Sequence, residues 1–290
     1  MTQSPNSSTR RYIAVSAGIL VLAASGGIMA SARSPIPSAR PASTTTAPST
    51  QPAPVMATPR SKLHSTDART YLYSLADQIR TVPADAHPGP YAYQHTERWS
   101  RDSARLRGFV RRQWRNADGA GRVTEKTLPG SDNLARPSED DRARLAAAKF
   151  EQVDHRAGSL PAVVAEPIAT DPDALATQLA RHIPPQAGPA RLMTGIADMA
   201  DVHYLGQEQR AAVLRLLASI EGIGVVGAAD DLARAGVAVT VTAAGSTSRL
   251  FFDPATGVLF AFDEVLHVGR RGVFDIRLYL SVDRRAGAGA

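Results

Sequence analysis

The chain has 290 residues, and its 33 basic and 27 acidic side chains give a formal net charge of +6. Residues 1–60 contain five Arg and no Asp or Glu, so this segment carries +5 of the excess. The other residues hold 28 basic and 27 acidic groups, so the charge does not indicate a basic nucleic-acid-binding domain, and we expect no nucleic-acid partner. The absence of cysteine excludes disulfides, thiolate metal sites and a lipid-anchored N-terminal cysteine.

An uncharged apolar segment, residues 12–32, follows Arg10 and Arg11 directly. As a helix it would span about 31 Å, close to the thickness of the hydrocarbon core of a bilayer. The same stretch also has the layout of a secretory signal, with small residues up to Ala32 as a cleavage site. Both interpretations leave residues 1–11 in the cytoplasm and place the rest of the chain outside the membrane. We therefore predict a single-pass membrane protein, with secretion after cleavage at Ala32 as the alternative.

A Pro/Ser/Thr-rich linker comes next, over residues 33–62. In residues 33–60, 16 of 28 positions are Pro, Ser or Thr, a composition that cannot bury enough apolar surface to fold. From residue 63 to residue 284 the composition is that of one globular domain, and residues 285–290 form a flexible tail.

The hydrophobic periodicity of the domain changes along the chain from helix to strand and back. A helix is predicted from Ser65 or Thr66, as its cap, through Arg80. Three strands follow, over 91–99, 107–115 and 122–128, and then a short helix around 142–151. Three further helices are predicted: one capped by Asp171, one over 190–203 and one over 207–220. Five strands close the domain, over 222–227, 236–244, 248–253, 258–267 and 273–282. This order indicates an α+β fold with an antiparallel sheet.

The sequence contains no strong catalytic motif: no nucleophile elbow, phosphate-binding loop or zinc-protease helix. Its seven histidines show no metal-ligand spacing, so we predict no metal and no cofactor. His95 and Glu97 share one strand face and form either an acid–base pair or a polar cross-strand contact. His203 ends a predicted helix, where a cation suits the helix dipole.

Two groups of residues are candidates for ligand contact. Aromatic side chains on neighbouring strands either line a groove for an acyl chain or a peptide, or belong to the ordinary core; they are Tyr91, Tyr93, Trp99 and Trp114. Arginines of the second predicted strand either contact anions such as lipid headgroups or wall polymers, or form a solvated face; they are Arg107, Arg111, Arg112 and Arg115.

Several short motifs occur in a characteristic order over residues 70–280. They are Gly89-Pro-Tyr-Ala-Tyr-Gln with Trp99, Arg112-Gln-Trp-Arg with Asp118-Gly119, Thr170-Asp-Pro-Asp-Ala-Leu, Leu217 to Gly227, and Phe252-Asp-Pro-Ala-Thr-Gly. Together they resemble a family of actinobacterial membrane-anchored extracytoplasmic proteins of uncharacterised activity, which are often encoded near extracytoplasmic-function sigma factors. The resemblance implies a transmembrane helix and an extracytoplasmic domain. The cytoplasmic part of this chain, 11 residues, is too short for a sigma-binding domain.

More distantly, the helices and the Asp-Pro-x-Thr-Gly hairpin are similar to the lipoprotein-carrier superfamily and the sensor domain of periplasmic sigma regulators. That similarity implies a curved, half-barrel-like antiparallel sheet packed by several helices, with an acyl-binding concave face. The sequence thus predicts a non-enzymatic envelope-sensing domain that binds a lipid, a lipopeptide or an envelope protein. A secreted cell-wall hydrolase using His95 and Glu97, or a purely structural interaction module, is the alternative.

Overall fold

A computed structural model describes residues 57–82, 89–102, 105–131, 136–267 and 274–288. Within these residues the chain forms five α-helices and one short 3₁₀ turn, Pro185–Ala187. The helices are α1 (Ser65–Ile79), α2 (Glu139–Ala147), α3 (Pro172–Ala180), α4 (Pro189–Ala200) and α5 (Gln207–Ala218). All of them belong to the compact unit Gln51–Ala290.

Ten strands of the described chain form one open antiparallel sheet. They are β1 (Leu63–His64), β2 (Tyr91–Arg101), β3 (Leu106–Arg115), β4 (Gly121–Ser131), β5 (Glu151–His155), β6 (Gly224–Ala229), β7 (Ala235–Ala243), β8 (Ser246–Phe252), β9 (Leu259–Leu266) and β10 (Phe274–Arg285). The order across the sheet is β1-β6-β7-β8-β9-β10-β2-β3-β4-β5, so β1 and β5 are the two edges. The predicted α+β class with an antiparallel sheet is confirmed.

Each face of the sheet carries its own hydrophobic cluster. The helix face packs against α1, α3, α4 and α5, and its buried strand residues include Val239, Phe252 and Tyr279. The opposite face, which we call the outer face, buries Trp99, Ile276 and other residues beneath Leu145 of α2. Because side chains alternate along a strand, the strands β7 to β10 contribute buried residues to both clusters, whereas β2 to β4 contribute only to the outer-face cluster.

Most of the predicted elements occur in the structure with shifted ends. The capping prediction for Asp171 is confirmed, since its carboxylate accepts the backbone N–H groups of Asp173 and Ala174. The capping prediction for α1 is wrong, because the N-cap position is His64 and the helix already includes Ser65. The short helix α2 begins three residues earlier than predicted, at a capping box between Ser138 and Asp141.

Described residues on both sides of the predicted range 63–284 contact the sheet. The backbone N–H of Gly227 donates to the carbonyl of Pro59, inside the predicted linker, over 2.9 Å. At the other end β10 continues to Arg285, which pairs with Tyr91. Within the described residues, hydrogen bonds to the domain therefore begin at Ala57, eight residues before the first helix.

No helix in the described part of the chain is long and apolar enough to cross a membrane. The predicted transmembrane or signal segment, residues 12–32, lies outside the described residues, as do residues 1–11 and most of the predicted linker.

Candidate functional site

The four aromatic candidates all lie on the outer face, but at two different depths. Tyr93 and Trp114 are neighbours across β2 and β3, with ring centroids 4.9 Å apart, and are 4% and 6% exposed. Tyr91, the first residue of β2, is half-buried. Trp99 is fully buried in the outer-face cluster, where Gly108 on β3 leaves room for its ring: a Cβ there would lie 2.4 Å from Cζ3. A ligand would have to displace α2 to reach Trp99.

The four arginine candidates do not form a single patch, because β3 alternates them between the two faces. Arg107, Arg111 and Arg115 point to the helix face, and Arg112 points to the outer face. Arg107 is exposed and contacts Asp102, whereas Arg115 is almost fully buried and bound to Glu166 over 3.0 Å. Arg115 lines a pocket that is described below.

His95 and Glu97 lie on the same face of β2, as predicted, but in different surroundings. Glu97 Oε1 accepts the indole N–H of Trp99 and a guanidinium N–H of Arg142, each over 2.6 Å, which ties this carboxylate to α2. Burial and the charges of Arg112, Arg285 and Lys126 lower the pKa of His95 to about 4. At neutral pH the imidazole is therefore uncharged and a weak base.

An inner pocket lies between the sheet and the helical layer, and no pattern in the sequence predicts it. Its volume is about 60 Å³, and α4, α5, β8, β9 and β10 all contribute to its wall. The walls are mainly apolar: Ile196, Ala200, Leu205, Val213, Phe252, Val258, Leu259, Tyr279 and Val282. The pocket has room for only a few non-hydrogen atoms as it stands.

A second, more polar pocket of about 230 Å³ adjoins the first, since His203 and Tyr204 line both. Its charged lining residues are Arg115, Glu166 and Arg284. Arg284 donates to the carbonyl of Gly89 over 2.9 Å, and its guanidinium lies 5.5 Å from the ring centroid of Tyr204. We call this second pocket the polar mouth. It is lined by two guanidinium groups and one carboxylate, so its net charge is positive.

His203 lines both pockets, and two hydrogen bonds fix the orientation of its ring. Its Nε2 accepts the backbone N–H of Val163 over 3.2 Å, so the ring proton is on Nδ1, which donates to Glu166 over 2.9 Å. Burial lowers the pKa of His203 in spite of the hydrogen bond to Glu166. The expectation of a cationic helix-end histidine is therefore wrong: the ring is neutral and 2% exposed.

Residues far apart in sequence build this pair of pockets, which is why sequence reasoning missed it. Glu166 lies in the loop before α3, His203 and Tyr204 follow α4, and Arg284 belongs to the last strand. No local spacing connects these positions. The closest clue in the sequence is the pair His203-Tyr204 at a helix end, which has a purely local explanation.

A wider groove of about 530 Å³ lies at one end of the helical layer, between the C-terminal end of α3, the start of α4 and the turn after α5. Ile183, Leu192 and Ile220 are its larger apolar residues. The groove is open to solvent, and none of its lining side chains is a cation.

The residues that the structure describes contain no cluster of three or more His, Asp or Glu side chains that could hold a metal ion. Comparisons of the chain with protein-family models, curated proteins and solved structures find no match.

Proposed function

We propose that residues 63–284 form a non-enzymatic, extracytoplasmic binding domain that senses an amphiphilic ligand at the cell envelope. The ligand is a lipid, a lipopeptide or the acylated end of an envelope protein. Residues 12–32 hold the domain at the membrane as a transmembrane helix, and the linker gives it reach. The motif resemblance described above supports this organisation.

One observation carries the proposal: an apolar pocket under the helical layer adjoins a polar mouth with a net positive charge. An acyl chain would enter between α4, α5 and the sheet, while an anionic head would lie beside Arg115 and Arg284. The two pockets together come close to the lower end of the range for small-molecule sites, about 300–1,000 Å³. The sheet would act as the curved, half-barrel-like surface of lipoprotein carriers.

The inner pocket would have to widen to hold a longer acyl chain. The pocket is bounded on one side by the sheet, whose strands are held by backbone hydrogen bonds, and on the other by α4 and α5. Separation of these helices from β8 and β9 is therefore the motion that would admit more of the chain.

Binding is tested by isothermal titration of the compact unit 51–290 with laurate, a single-chain anionic amphiphile. We expect saturable binding and a higher melting temperature. Ala200→Leu fills the inner pocket and should weaken binding at least tenfold, whereas Ala176→Leu, which adds the same atoms in the separate groove, should leave it unchanged. Equal laurate binding by both variants, or no binding by the unsubstituted domain, contradicts the proposal.

The polar mouth is tested separately by the head group. Arg284→Gln should weaken the binding of laurate but leave that of dodecyl maltoside, which has the same chain and no charge, within twofold. Arg181→Gln removes an exposed cation at the residue that follows α3, away from the mouth, and is the matched control. If the two substitutions change the affinity for laurate equally, Arg284 does not contribute to recognition of the head group.

A further inference from the structure

Side chains of the outer face form two rows that run across strands β10 to β5, away from both pockets. The register places Asp283, Tyr93, Trp114, Arg122 and Asp154 in the first row. It places Ser281, His95, Arg112, Thr124 and Gln152 in the second row. We use the name row patch for the middle of these two rows together with two neighbouring residues. Its members are Tyr93, Trp114, His95, Arg112, Thr124, Lys126 and Phe150.

The row patch holds three buried polar atoms that have no hydrogen-bond partner. They are Nε1 of Trp114, Nε of Arg112 and the hydroxyl of Thr124. Two of them are N–H groups, which can only donate, and the hydroxyl can donate as well. Trp114 is 6% exposed, so its unpaired indole N–H is not simply facing solvent. Buried donors are nearly always paired in folded proteins, so three unpaired donors at adjacent register positions are available to an acceptor from outside the chain.

Two cations of the row patch, Arg112 and Lys126, have no carboxylate partner among the described residues. Arg122 is paired with Asp154 and Arg285 with Asp283, so the ends of the first row are balanced. Arg112 and Lys126 form no ion pair with any described residue. Both lie over the ring of Phe150, at 4.5 and 4.9 Å from its centroid, and Lys126 also donates a hydrogen bond to the carbonyl of Ala146 over 2.7 Å. Two unmatched cations therefore flank the unpaired donors.

We propose that the row patch binds an oxyanion: an inorganic phosphate or the carboxylate or phosphate group of a larger ligand. Its oxygens would accept from Trp114, Arg112 and Thr124, with Lys126 adding charge. The environment of His95 agrees with this, because the cations around it already oppose a further positive charge. The proposal does not depend on the pocket between the sheet and the helices.

The two tryptophans of the chain give a direct assay. The full chain is labelled with ¹⁵N at the indole nitrogens, placed in unlabelled zwitterionic nanodiscs, and titrated with phosphate, with acetate, and with chloride at matched ionic strength. We expect a saturable shift of the Trp114 indole resonance with phosphate or acetate. The Trp99 resonance should not move, because its N–H is already bonded to Glu97.

The control variants separate a site from a general ionic effect. Arg112→Gln should reduce the shift at a given anion concentration at least fivefold, and Thr124→Val, which keeps the shape of the side chain, should reduce it as well. Arg107→Gln removes an exposed cation of the same strand on the other face and should change nothing. A shift that chloride reproduces, that both indoles share, or that survives Arg112→Gln and Thr124→Val overturns the proposal, as does the absence of any shift.

Discussion

At the residue scale, His95 is a neutral imidazole held among cations. Its cross-strand neighbour on β3 is Arg112, and the charges of Arg285 and Lys126 also oppose its protonation. Burial is the largest cause of its lowered pKa, followed by these three charges. Such a histidine resists protonation in the folded chain but not in the unfolded one, where its pKa is about 6.5.

This difference predicts a pH dependence of stability. Between pH 6.5 and about 4 the unfolded chain binds a proton at His95 that the folded chain does not, so the stability contributed by the neutral ring is full above pH 6.5 and is lost as the pH falls. We expect His95→Gln to remove about 1–3 kcal/mol from the drop in unfolding free energy between pH 7 and pH 4.5. Urea unfolding at both pH values measures it.

The comparison within each protein isolates His95 from other titrating groups. The pKa of His203 is also lowered. Because His203 is present in the unsubstituted protein and in His95→Gln alike, its contribution cancels when their drops in stability are compared. An equal drop in stability for the unsubstituted chain and for His95→Gln would contradict the assignment.

The burial depth and the partners of individual residues could not all be predicted from the sequence. The alternation of β2 predicted correctly that Tyr93, His95, Glu97 and Trp99 share a face. It could not separate the deeply packed Trp99 from the aromatic pair around Trp114, because that depends on where α2 lies. The partners of Glu97 are contributed by α2 and by its own strand, and no spacing in the sequence identifies the first of them.

At the element scale, α4 is fixed to the sheet by a buried ionic cluster. Arg277 on β10 is 1% exposed and donates to Asp198 and Asp201, each over 2.7 Å, and to Asp275 over 3.0 Å. Burial acts to raise the pKa of Asp198, but Arg277 outweighs it and the pKa is lowered. For Asp201 burial prevails and the pKa is raised.

Removing the cation at the centre of this cluster should be costly. Arg277→Met leaves three carboxylates around an apolar side chain, and we expect a loss of about 3–5 kcal/mol at pH 7. The penalty should shrink as the pH falls towards 5, since the carboxylates, now with raised pKa values, take up protons. Guanidinium unfolding at both pH values measures the change.

Arg98 provides the matched control for this element. It forms a bidentate pair with Asp275 alone, over 2.7 and 2.8 Å, and it is only partly buried. Arg98→Met should therefore cost about 1 kcal/mol or less. Equal losses for the two substitutions would mean that burial of the cluster does not determine its strength.

The sequence patterns located the long elements better than the short ones. The helices α3, α4 and α5 and the strands β2 to β4 have clear periodicity or punctuating Pro and Gly residues, and their predicted positions agree with the structure. The edge strands β1 and β5 were not predicted. β1 has two residues, and the exposed pattern of β5 lacks the alternation that marks a half-buried strand.

At the scale of the whole molecule, the last strand joins two parts of the sheet that are separate in sequence. Strands β6 to β10 form one meander and β2 to β5 form another, and they meet only through the pairing of β10 with β2. Every residue of β2 from Tyr91 to Arg101 pairs with β10. Sequence order cannot reveal this contact, because the partners lie about 180 residues apart.

This topology predicts that β10 is required for any cooperative fold of the domain. A chain ending at residue 273 loses Ile276 and Leu278 from the outer-face cluster and Tyr279 from the helix-face cluster, so both cores open along the same line. We expect it to lack a cooperative thermal transition, whereas a chain ending at Arg285, which keeps β10 complete, should melt within a few degrees of the full chain. Far-UV circular dichroism on heating distinguishes them. A cooperative transition in the shorter chain would show that one meander folds without the other, and that the ten strands are not one folding unit.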